Sequence, residues 1–181
     1  MFKETSAIAA PHLTVRIKKK TDGSAALSCQ RADGSVTWQR QDGDLGAFFP
    51  LHDLTHFAVE TALGFRHAFY GLVADGWDIS SFEAPGAARR IPEEAGLAEL
   101  IVGFFDVERA TGIVSTAADF NWKIDTHLDE RGLPPTPFRM TDERLEQIRS
   151  LRGELFARWR DVQPGDTLEL RFTPGSTAVP G

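Results

Sequence analysis

Apolar and polar residues alternate along three short segments in the first third of the chain. The segments are centred on Val15, Leu27 and Trp38, and glycine-containing turns at Gly23 and Gly34 separate them. Gly after Asp supplies the positive φ that a tight hairpin turn requires. The pattern predicts a meander of three antiparallel strands with one apolar face and one wet face.

From residue 51 the spacing of apolar residues lengthens to that of an amphipathic helix. A first helix is expected over residues 51–74, with Gly64 and Gly71 as points where it can bend or split. Three further helices are expected because Pro suits a first helical turn and Ser or Thr suits an N-cap. Their expected starts are Pro92, Ser115 or Thr116, and Thr141.

Alternation returns near the end of the chain, at Leu168, Leu170 and Phe172. We expect this last strand to pair with the N-terminal meander. The predicted fold class is therefore α+β, an antiparallel sheet of about four strands packed against about four helices. A length of 181 residues indicates a single domain, 1–181. Residues 1–10 and 174–181 are expected to be flexible tails.

Composition indicates the class of protein and the cellular compartment in which we expect it. Hydrophobic residues make up 41% and charged residues 25% of the chain, which is typical of a globular protein. The one cysteine, Cys29, cannot form an internal disulfide. There is no signal-peptide pattern and no long apolar run. We therefore expect a cytoplasmic protein without a membrane partner.

The net charge of −6 is unevenly distributed. Residues 1–42 carry 7 Lys and Arg against 4 Asp and Glu, whereas the remainder carries 13 against 22. The basic stretch around Lys18 to Lys20 has two interpretations, a nucleic-acid patch or a solvated strand end that resists edge-to-edge pairing. Because the protein is acidic as a whole, we favour the second interpretation and expect no nucleic-acid partner.

The candidate chemistry lies in residues 52–60. His52, His56 and Glu60 are spaced four residues apart, so a helix would place them within an arc of about 80°. Two imidazoles at this spacing can bind a divalent transition metal such as zinc, with a carboxylate as third ligand and a water in an open position. Asp53 borders the same arc and is the predicted proton acceptor for that water. A hydrolase is the reaction class that this arrangement favours.

The stretch His52-Asp53-Leu54-Thr55-His56 resembles the zincin metalloprotease motif His-Glu-x-x-His, with Asp53 in the place of Glu. The resemblance covers five residues. Asp is one methylene shorter than Glu, so its carboxylate would sit back from a metal-bound water. We do not assign the chain to that family.

One other interpretation of the sequence stays open. His52 and Asp53 could simply begin a helix, with His56 bonded to a carbonyl and Glu60 paired with Arg66. The chain would then be a non-enzymatic binding or assembly protein, with the Pro-rich loop 133–138 as a contact surface. Two further histidines, His67 and His127, are possible additional ligands, although surface or helix-end positions explain them as well. Phosphate-binding glycine loops and a G-x-S-x-G elbow do not occur in the sequence.

Overall fold

The computed structural model describes residues 12–43 and 46–177. Four strands form one antiparallel sheet in the order β3-β2-β1-β4. The strands are β1 (Leu13–Lys19), β2 (Ala25–Arg31), β3 (Val36–Gln41) and β4 (Thr167–Phe172). The α+β class and the pairing of the last strand with the meander are both confirmed.

Five α-helices lie in the described part of the chain between the meander and the last strand. They are α1 (Phe49–Leu63), α2 (Phe69–Ala74), α3 (Glu93–Thr111), α4 (Ala117–Glu130) and α5 (Asp142–Asp161). The expected helix over residues 51–74 is split because Gly64 adopts φ 65°, the left-handed conformation that ends α1. Thr116 and Thr141 cap α4 and α5 as the sequence predicted.

The core lies between the inner sheet face and α1. Alternate residues of each strand are buried, among them Val15, Leu27 and Leu170. Helix α1 packs against both α3 and α5, so it is buried on nearly all sides from Asp53 to Thr61. Polar side chains on this helix therefore lie inside the protein, where each requires a partner.

The expected tail 1–10 lies outside the described residues, as do residues 178–181. In the described part of the second expected tail, Pro174 is buried and the Gly175 N–H donates to the Phe65 carbonyl at 3.1 Å. No helix among the described residues is long and apolar enough to cross a membrane.

Candidate metal centre between α1 and α3

Helix α1 brings His52 and His56 together. Their ring centroids are 4.8 Å apart in an edge-to-face arrangement. His56 is 4% exposed and His52 is half-buried. The spacing of four residues predicted this pairing correctly, because consecutive turns of a helix align such side chains.

Helix α3 supplies a carboxylate to each imidazole. Glu99 Oε2 lies 3.0 Å from His56 Nε2, and Asp106 Oδ2 lies 2.7 Å from His52 Nδ1. Glu99 and Asp106 are seven residues apart, so they lie on the same side of α3 two turns from each other. Neither residue was predicted from the sequence as part of the site. Their spacing and acidity were visible, but the packing of α3 against α1 was not.

Three side chains form a group of potential metal ligands. One ligand atom each from His52, His56 and Glu99 lies within 4.8 Å of the other two. Tetrahedral coordination of zinc at about 2.0–2.2 Å would place ligand atoms about 3.3 Å apart. The Glu99 side chain is 65% exposed, so it is free to make an adjustment of about 1–2 Å.

Glu60 is not part of this group, although the sequence predicted it as a ligand. Its side chain is fully buried, and Oε2 accepts hydrogen bonds from the backbone N–H groups of Tyr70 at 2.9 Å and Gly71 at 3.4 Å. The other oxygen, Oε1, lies 3.4 Å from His56 Nδ1. Glu60 therefore faces the inner nitrogen of His56 while it caps the first turn of α2. The pairing with Arg66 is absent from the ion pairs of the described residues.

Asp53 is also outside this group. Its buried carboxylate accepts a hydrogen bond from the Gln41 amide at the end of β3, and its carbonyl accepts one from the Tyr70 hydroxyl at 3.1 Å. Burial raises the pKa of Asp53 to about 6, against the lowering effect of the Gln41 hydrogen bond. The role of Asp53 as proton acceptor stays a prediction.

The carboxylates around His56 control its charge. Burial disfavours the imidazolium, but Glu60 and Glu99 outweigh burial and raise the pKa of His56 to about 10. The hydrogen bond from His56 lowers the pKa of Glu99 to about 2, and burial raises the pKa of Glu60. Without a metal, His56 thus holds a proton between two carboxylates. This is an arrangement in which a divalent cation can replace a proton.

No protein-family model matches this chain, and neither curated proteins nor solved structures show significant similarity to it.

The two histidines that the sequence offered as additional ligands lie outside the group. His67 is exposed and lies 3.4 Å from the Asp75 carboxylate, and His127 is half-buried in the last turn of α4. Neither belongs to a group of three potential ligands among the residues described.

Proposed function

We propose that His52, His56 and Glu99 bind a divalent transition metal such as zinc, and that the site is hydrolase-like. The observation that carries the proposal is the convergence of the three ligand atoms within 4.8 Å. Two imidazoles and a carboxylate are a ligand set that suits zinc. Three protein ligands leave a fourth position for water, whose pKa a zinc ion lowers toward neutrality.

The contacts of the Nδ1 atoms of His52 and His56 support the same proposal. His52 Nδ1 faces Asp106 and His56 Nδ1 faces Glu60, which leaves the Nε2 atom of each ring as the metal-binding atom. A carboxylate on the opposite nitrogen fixes the tautomer and increases the basicity of the ligand. Glu60, predicted as a ligand, then acts as a positioning residue for His56.

Metal content provides the first test. We expect metal-depleted protein to take up one zinc ion per chain in equilibrium dialysis, measured by elemental analysis. His56→Ala and Glu99→Gln should each weaken the uptake by tenfold or more. His67→Ala is the matched control, because it removes an exposed histidine that is outside the group. Absence of uptake by the wild-type protein, or equal uptake by His56→Ala, would contradict the proposal.

The predicted role of Asp53 needs a separate test, which applies once a hydrolysable ester or phosphoester is found to be a substrate. Asp53→Asn should retain zinc but lose turnover if Asp53 accepts a proton from the bound water. Unchanged turnover would assign Asp53 a structural role with Gln41 only.

Exposed apolar side chains favour a second candidate function, a non-enzymatic assembly protein. Ile113 and Val114 are each 70% exposed in the connection between α3 and α4, and Trp122 on α4 is 67% exposed. The Pro-rich loop 133–138 adds Leu133, which is 49% exposed. Exposed apolar groups of this kind are typical of contact surfaces. Light scattering across a range of concentrations tests this function. A mass that stays at one chain for both wild type and Ile113→Ser would rule out self-assembly.

A further inference from the structure

Among the described residues, no helix packs on the outer face of the sheet, and this surface is distinct from the metal centre. The helices of the described chain lie against the inner face, so the outward residues of all four strands face away from them. The strand register places Trp38, Ser28, Arg16 and Glu169 in one row across this face. Trp38 is 63% exposed on the edge strand β3.

The charge of this face is opposite to that of the whole protein. Its outward positions carry four cationic side chains and one carboxylate, whereas the whole chain has a net charge of −6. The four cations are Arg16, Lys18, Arg40 and Arg171. The face therefore attracts anions in a protein that otherwise repels them.

The cations are available to a ligand. Lys18 and Arg171 form none of the ion pairs found among the described residues. Arg16 pairs with Glu169 at 2.7 Å and Arg40 pairs with Asp42 at 2.8 Å. Both pairs are solvent-exposed and therefore weak, so a phosphate can compete for either arginine.

The positions between Trp38 and the β1 cations are occupied by the smaller side chains of β2. Ala26 and Ser28 lie next to Arg40 and Trp38 in the register and separate them from Lys18 and Arg16. Neighbouring strands are about 4.8 Å apart, so the Cα atoms of Trp38 and Arg16 are separated by about 10 Å, with the small side chain of Ser28 between them. An exposed indole ring can stack a nucleic-acid base, and the row of cations beside it can hold the phosphates of the same strand.

We propose that the outer face of the sheet binds single-stranded nucleic acid, with Trp38 stacking a base and Lys18, Arg40 and Arg171 holding phosphates. The charge of the face and its exposed aromatic ring argue for this occupant over an acidic protein segment, which has no base to stack. The proposal departs from the sequence-based expectation of no nucleic-acid partner, which followed from overall acidity. It is independent of the metal centre.

Fluorescence anisotropy with a labelled oligouridylate of about ten nucleotides tests the proposal. We expect binding that weakens with added salt, because phosphate contacts release counterions. Trp38→Ala should weaken binding by about tenfold or more. Trp122→Ala is its matched control, since Trp122 is equally exposed but lies on α4.

A charge-reversal pair provides the second arm. Arg171→Glu should weaken binding and reduce the salt dependence, whereas Arg160→Glu, an exposed position on α5, should do neither. Absence of binding at low salt would overturn the proposal. Equal losses in the variants and their controls, equal affinity for a duplex, or equally effective displacement by polyglutamate would also overturn it.

Discussion

At the scale of single residues, the buried carboxylate of Glu60 depends strongly on its hydrogen-bond partners. It is a carboxylate without solvent exposure, held by two backbone N–H groups of α2 and the imidazole of His56. A buried charge is tolerated only when it is paired and hydrogen-bonded. Glu60 therefore connects the folding of α2 to the orientation of a proposed metal ligand.

Replacing this side chain should be costly. We expect Glu60→Ala to lower the free energy of unfolding by about 2–4 kcal/mol, since it leaves the buried N–H groups of Tyr70 and Gly71 without an acceptor and removes the carboxylate that faces His56 Nδ1. Urea denaturation of metal-free protein measures the change. Glu99→Ala removes the other carboxylate at His56 from an exposed position, and its effect should be clearly smaller. Equal effects would contradict the structural role assigned to Glu60.

The buried carboxyl group of Asp53 should make the folding stability depend on pH. Burial raises its pKa to about 6 in the folded protein, with His52, His56 and Asp106 as the charged groups that act on it. The folded state therefore binds the proton more tightly than the unfolded state. The resulting stabilisation is fully present below the unfolded pKa of about 4 and is lost as pH rises to about 6.

Asp53→Asn removes this titration. We expect the stability of the wild type relative to Asp53→Asn to fall between about pH 4 and pH 6 and then level off. Chelator-treated samples followed by urea denaturation at each pH give the comparison. A constant difference across this range would show that the folded and unfolded pKa values of Asp53 are equal.

At the scale of elements, α2 depends on close contact with the preceding turn. A Cβ atom added to Gly71 would lie 2.0 Å from the Arg66 carbonyl oxygen, a distance that requires the backbone to move. Gly71 also donates to Glu60. Gly71, which the sequence suggested as a point where the first helix could bend or split, thus allows α2 to pack closely against the preceding turn.

Two glycine substitutions should therefore have opposite effects. Gly71→Ala should destabilise the protein by about 1–3 kcal/mol because the site is overpacked. Gly153→Ala, on an open surface of α5, should stabilise it by about 0.5–1 kcal/mol because alanine favours the helix. Thermal unfolding of both variants would show the difference in sign, and a stabilising Gly71→Ala would mean that this contact does not exist in solution.

The elements were predictable where local signals determine them. The Asp33-Gly34 turn, the threonine caps of α4 and α5 and the alternating strands each depend on residues close in sequence, and all were predicted. The pair His52 and His56 was found for the same reason. Glu99 and Asp106 were not, because only the packing of α3 on α1 brings them to the histidines. Sequence spacing also predicted Glu60 as a ligand, but it does not reveal that α2 turns back and donates to this carboxylate.

At the scale of the whole molecule, a metal bound only by the folded state must stabilise it. If zinc is present at about 100 times its dissociation constant, stability should increase by about 2.7 kcal/mol and Tm by roughly 5–10 °C. Differential scanning calorimetry with and without zinc measures the shift. His56→Ala should lose it and His67→Ala should keep it. A shift of the same size in His56→Ala would place the metal elsewhere.

The sheet order has a consequence for synthesis of the chain. In the finished fold β1 lies between β2 and β4, and Leu13 is paired with Phe172. Until β4 has been synthesised and has paired with β1, one side of β1 has no strand partner, and its unpaired backbone groups can template association with other chains. Lys18 and Lys19, at the end of β1, are well placed to discourage such association during the interval before β4 pairs with β1.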